Sequence, residues 1–87
     1  MSPKQKAKLV SMDLPRMLAV LTGTCARDWK IREGPDSRCG IDYYYRHRQG
    51  SEAYINIDQG HFTISLAGET LFTGDPAEDA RLKRFVR

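Results

Sequence analysis

Along this chain the apolar residues first recur with helical spacing and then switch to strict alternation. Leu14, Met17, Leu18 and Leu21 stand at i, i+3, i+4 and i+7, which places them on one face of an α-helix. Asp13 supplies an N-cap, Pro15 is tolerated in a first turn, and Gly23 is the residue that ends a helix in the left-handed conformation. The spacing predicts an amphipathic helix over Leu14–Thr22. Trp29 and Ile31 then alternate with Asp28, Lys30 and Arg32, a strand pattern. Glu33–Gly40 collects Gly, Pro, Asp and Ser and reads as a loop. Ile41–Arg48, Ala53–Asp58, His61–Leu66 and Glu69–Thr73 follow as strands, separated by turn signals at Gly50-Ser51, Gln59-Gly60 and Ala67-Gly68.

The two ends carry capping signals. Asp75-Pro76-Ala77-Glu78 combines an N-cap Asp, Pro at N1 and Glu at N3, so a helix is expected over Pro76–Val86, anchored by Leu82, Phe85 and Val86. Ser2-Pro3-Lys4-Gln5 has the same form. A short basic helix over Pro3–Ser11 and a frayed basic tail both fit residues 1–12, because isolated helices of that length are marginal in water. The expected architecture is α+β, residues 1–87 forming one compact domain: an N-terminal helix, an antiparallel meander of three to five strands, and a short C-terminal helix.

Register decides which residues share a sheet face. A Gln59-Gly60 loop pairs Ile57 with Phe62 and Ile55 with Ile64, and an Ala67-Gly68 loop pairs Ile64 with Leu71. A Gly50-Ser51-Glu52 loop pairs Tyr45 with Ile57 and His47 with Ile55. Ile41, Tyr43, Tyr45, Ile55, Ile57, Phe62, Ile64, Leu66 and Leu71 then point inward, toward the 14–22 helix. The opposite face carries Tyr44, Arg46, Arg48, Tyr54, Asn56, Asp58, Thr63 and Phe72. Aromatic residues and arginine are enriched where proteins meet, and the same mixture stacks bases and neutralises phosphates on single strands. The competing expectation is that the C-terminal helix lies over part of this face, with Leu82 and Phe85 on Phe72.

Composition narrows the function classes. At 87 residues there is room for one domain with a thin core. Fourteen Lys and Arg against eleven Asp and Glu give a net charge of +3, which suits nucleic acid, an acidic protein surface or plain solubility. No apolar run approaches the roughly 20 residues of a membrane span. Ser11, Asp13 and Arg16 interrupt any secretory h-region. A reducing, cytoplasmic setting is expected, with Cys25 and Cys39 as free thiols.

Catalytic and metal chemistry find little support. Cys25, Cys39, His47 and His61 are too widely spaced for the close ligand pairs of structural zinc, and they come without the elbow of a thiol hydrolase. These cysteines are expected as small buried hydrophobes and the histidines as half-exposed strand residues. Asp28, Glu33, Asp36 and Asp42 are the candidates for a metal-dependent nuclease, but Asp is also a turn and cap residue. Cys39-Gly40-Ile41-Asp42-Tyr43 resembles the start of the GIY-YIG nuclease motif, without its second half. No glycine cluster builds a phosphate loop.

The leading expectation is therefore a non-enzymatic protein, without cofactor or metal, that occupies the surface of a macromolecular partner as a small inhibitor or adaptor. A phage-type anti-defence inhibitor fits on size alone. Tyr44, Arg46, Arg48 and Tyr54 are the expected contacts, with Lys4, Lys6 and Lys8 as weaker electrostatic ones. The alternatives are a nucleic-acid-binding module using the same face, and a small nuclease or hydrolase.

Overall fold

A computed structural model describes residues 13–36 and 40–86. Helix α1 spans Leu14–Thr22. The Asp13 carboxylate accepts from the Arg16 backbone N–H, and Gly23 at φ 70° closes the far end through its N–H to the Ala19 carbonyl. The expected residues are thus helical, with the expected caps. Leu14, Met17 and Leu18 are buried, and Leu21 packs at the margin of the core.

A single 3₁₀ turn, Ala26–Asp28, leads into a five-stranded antiparallel sheet with the order β1-β2-β3-β4-β5. The strands are β1 Trp29–Asp36, β2 Ile41–His47, β3 Glu52–Asp58, β4 His61–Leu66 and β5 Glu69–Gly74. The fold class is α+β with an antiparallel meander. Each strand pairs with its sequence neighbour because short turns leave no other choice. At Gln59-Gly60 and Ala67-Gly68 both turn residues have positive φ, the type I′ geometry whose twist matches a hairpin.

Four features differ from the sequence reading. Residues 33–36, expected in a loop, continue β1 through register shifts after Ile31 and after Glu33. Bulges and a proline are tolerated there because β1 is an edge strand. The β2–β3 hairpin closes from His47 to Ser51, with Gly50 at φ 105° as its last loop residue, so Tyr43 faces Ile55 and Tyr45 faces Ala53. Three-residue hairpin loops place their left-handed glycine last, not first. The partners move by four residues, an even step that preserves the faces. In β5 Leu71 is an extra residue, so Phe72 and not Leu71 lies opposite Ile64. Phe72 therefore belongs to the inner face, packed against the core.

The fourth difference is at the C-terminus. In place of one helix over Pro76–Val86 there are two 3₁₀ turns, Pro76–Glu78 and Lys83–Phe85. Asp75 caps the first as expected, accepting from the Ala77 N–H. Asp79 then turns extended, and its carboxylate accepts the Arg81 backbone N–H at 2.7 Å. A side chain that captures local backbone donors competes with the helical ladder. Nothing in the first half of the segment offers an apolar stripe to win that competition.

The core lies between the sheet's inner face and this helical layer. Ile55, Phe62 and Ile64 from the sheet are fully buried together with Met17, Leu18 and Leu82. The Asp13 N–H donates to the Phe85 carbonyl, tying the start of α1 to the C-terminal segment. Both therefore cover the inner face. No helix among the described residues is long and apolar enough to cross a membrane.

Candidate functional site

With α1 and the C-terminal segment on one side, the other side of the sheet is left uncovered by any element among the described residues. Its residues follow from alternation: Lys30 opposes Arg46, Arg46 opposes Glu52, Glu33 opposes Tyr44, Tyr44 opposes Tyr54, and Asp42 opposes Asn56. These are outward positions because their strand neighbours Tyr45, Ala53 and Ile55 are buried.

Two aromatic rings form the centre. Tyr44 and Tyr54 are 5.1 Å apart between centroids and inclined at 37°. The Arg32 guanidinium lies 5.8 Å above Tyr44, within the range of a cation–π attraction. On one side of the rings Arg46 donates to the Glu52 carboxylate at 2.6 Å, and Arg32 approaches the same oxygen at 3.4 Å. The Arg46 hydrogen bond, with the Arg32 charge beside it, holds the Glu52 carboxyl below its ordinary value. On the other side Asp42 Oδ1 accepts from the Tyr54 hydroxyl and from the Asn56 amide, each at 2.7 Å.

That second network has a consequence for alkaline titration. The Tyr54 hydroxyl donates to a carboxylate, an arrangement available only while the phenol is protonated. This bond, then partial burial and the Asp42 charge, push its pKa up to about 12. A tyrosine whose folded value lies above its unfolded value of about 10 stabilises the fold fully below pH 10. The contribution is lost as pH rises through 12. A phenolate absorbance titration is expected to show Tyr54 ionising near pH 12. In Asp42→Asn its midpoint should fall back toward the ordinary value, and identical curves for parent and variant would refute the assigned cause. Tyr45 is also raised, by burial first, then by Tyr43 and Asp13.

The sequence-derived contacts divide. Tyr44, Arg46 and Tyr54 come together on the outer face. Arg48 lies in the hairpin loop, exposed, its backbone N–H on the Asp28 carbonyl and its guanidinium 3.7 Å from the Asp28 carboxylate. Lys4, Lys6 and Lys8 lie outside the described residues. The sequence reading missed Arg32 because it set no register between β1 and β2; alternation puts Arg32 on the face of Lys30, and the shift after Ile31 brings Glu33 opposite Tyr44 on that face as well.

The thiol and imidazole groups are dispersed. Cys25 is an exposed free thiol, not the small buried hydrophobe expected, and Cys39 lies outside the described residues. His47 is buried on the inner face, edge-on to Trp29 with centroids 5.0 Å apart. Its Nδ1 accepts from the Gln49 N–H, so the ring proton sits on Nε2, which has no hydrogen-bond partner and lies 4.0 Å from Asp28. His61 is exposed, its Nε2 bonded to the Thr73 hydroxyl at 2.9 Å. Both rings are thus engaged away from Cys25. Among the described residues no three His, Cys, Asp or Glu side chains cluster as a metal site requires. Asp28 and Asp42, two of the four carboxylates of the nuclease reading, belong to separate networks. Compared with known proteins, the chain matches no family model, no curated protein and no solved structure.

Proposed function

We propose that this chain is a non-enzymatic binding protein that occupies the surface of a macromolecular partner, as a small inhibitor or adaptor. One observation carries the reading. Both covering elements pack on the inner face, so Tyr44, Arg46 and Tyr54 remain on a sheet face without a cover among the described residues. Tyrosine and arginine are the residue types that anchor protein interfaces. Arg48 joins them as a peripheral contact from the adjoining loop, and Lys4, Lys6 and Lys8 as electrostatic ones. A phage-type anti-defence inhibitor is one identity that fits the size. A reducing, cytoplasmic compartment suits Cys25 as an exposed free thiol.

A protein partner is favoured over nucleic acid by the acidic half of the face. Single-strand binders track the backbone with a continuous basic groove, whereas here Asp42 and Asp58 lie at one end of the face, apart from the cations, and Glu52 is paired with Arg46 at the other. The nucleic-acid reading rests on the Tyr44–Tyr54 pair and Arg32. Salt separates the two: phosphate-driven binding falls with a log–log slope of about −0.7 to −0.9 per neutralised phosphate.

The test is affinity capture of the partner, its identification, and titration against face variants. Arg46→Glu combined with Tyr44→Ala is expected to weaken binding about 1,000-fold, since anchors of these types each contribute roughly 2 kcal/mol or more and every 1.4 kcal/mol is about tenfold. The thermal midpoint should fall by only a few degrees, because the variant loses the exposed Arg46–Glu52 and Tyr44–Tyr54 pairs but no core packing. Undiminished affinity in the double variant would move the contact surface elsewhere.

A further inference from the structure

We infer that the outer sheet face is self-complementary and that its first occupant is a second copy of the same chain, docked face to face across a two-fold axis. The inference rests on reading this face as a contact surface, and it goes beyond that reading by naming what covers it.

The argument is the order of charge along the strands. The row Lys30–Arg46–Glu52 forms one end of the face, and Arg32 reaches into it to touch Glu52. Lys30, Arg32 and Arg46 against Glu52 and the neighbouring Glu33 leave that end with one net positive charge. The middle row is Glu33–Tyr44–Tyr54–Ser65–Thr70, in which Glu33 lies 4.0 Å from the Arg32 already counted. The next row holds Asp42. The row beyond it holds Asp58 opposite His61. That end is negative. The sequence is therefore positive, aromatic, negative, with rows about 6.6 Å apart at two residues of strand rise.

A two-fold interface brings residue i to j and j to i. An axis parallel to the strands would lay positive on positive. An axis across the strands, along the tyrosine row, reverses strand direction and lays Lys30 and Arg46 on the partner's Asp42 row. One step further out, it carries Asp58 to the loop end that bears Arg48. Tyr44 and Tyr54 fall on the axis, where flat rings can stack on their symmetry mates in offset geometry. The area required is a modest share of the monomer's surface. A standard interface takes about 800 Å² per partner, roughly a seventh of the monomer's 5784 Å². A dimer of this kind shields the binding face until a tighter partner displaces the second copy.

Sedimentation equilibrium of the full chain, from micromolar to near-millimolar concentration, tests this. The parent should dimerise, and raising salt should weaken the dimer several-fold through screening. Lys30→Glu/Arg46→Glu makes both ends of the face acidic. Asp58→Lys leaves one end basic and the other, where the introduced lysine would offset Asp42, neutral. Each variant alone should dimerise at least tenfold more weakly, while their equimolar mixture should form a heterodimer as tight as the parent. A parent that stays monomeric, a dimer indifferent to salt, or variants that fail to recover on mixing would each overturn the inference. If a variant does not fold, the salt series on the parent still decides. A monomeric parent that captures a partner refutes only self-association. A dimeric parent that captures nothing refutes only the partner reading.

Discussion

Phe62→Ala is expected to destabilise the protein by about 4 kcal/mol, read as a fall in the urea midpoint with an unchanged slope. Phe62 is fully buried, opposite Ile57 in the β3–β4 ladder and packed in the cluster that joins α1 to the sheet. Truncating such a ring removes its transfer free energy and leaves a cavity that neighbours only partly fill, about 3–5 kcal/mol in all. The relevant comparison is with the whole. At about 0.05–0.15 kcal/mol per residue, a domain of this length holds roughly 4–13 kcal/mol of stability, so this substitution takes a large share of it. Ile31→Ala is the control. Ile31 is 51% exposed on the edge strand, and its truncation should cost well under 1 kcal/mol. Equal effects at the two positions would show that the core does not centre on the β3–β4 pair.

The inner face was legible because several local signals agreed there. Alternation, I′ turn chemistry at Gln59-Gly60 and the helical stripe of Leu14, Met17 and Leu18 each select the same packing, and such agreement specifies a fold. The register of the β2–β3 hairpin was not legible, since Gly50 can serve at more than one loop position. The consequence was small, as an even shift keeps every residue on its face. The odd shift at Leu71 was more costly. One inserted residue moved Phe72 from the outer face to the core, and nothing in Glu69-Thr70-Leu71-Phe72 marks which of two adjacent apolar residues is the extra one.

The candidate face was half legible for the same reason. Tyr44, Arg46 and Tyr54 sit on regularly paired strands, so alternation places them. Arg32 follows Lys30 by two positions on β1, a strand whose register against β2 no turn signal in the sequence fixes, and Arg48 lies in a loop whose closure sets its direction. Asp42 illustrates a different gap. Its residue type suggested metal chemistry, whereas its neighbours Tyr54 and Asn56 turn one of its oxygens into a structural acceptor. Only the cross-strand pairing reveals those neighbours, which lie twelve and fourteen positions away in sequence.

Leu82→Ala is expected to cost about 3 kcal/mol, and ending the chain after Asp79 more than that. Leu82 is 0% exposed, enclosed by the same cluster as Met17 and Leu18. Burying a leucine this completely makes its removal cost about 2–5 kcal/mol. Truncation also removes Phe85 and Val86 from the core margin and deprives the Asp13 N–H of its acceptor on Phe85. Hydrogen-exchange protection of α1 reads the effect directly, because α1 and the segment share a boundary and should open together. The experiment also bears on function. Had the segment packed on the outer face, its loss would expose Tyr44 and Tyr54 while sparing α1. Packed where it is, its loss should deprotect α1 first, and Leu82→Ala should leave the Tyr54 hydroxyl titrating near 12 as long as the sheet persists. A truncated chain that keeps α1 protected would place the segment on the wrong side and close the outer face to any partner.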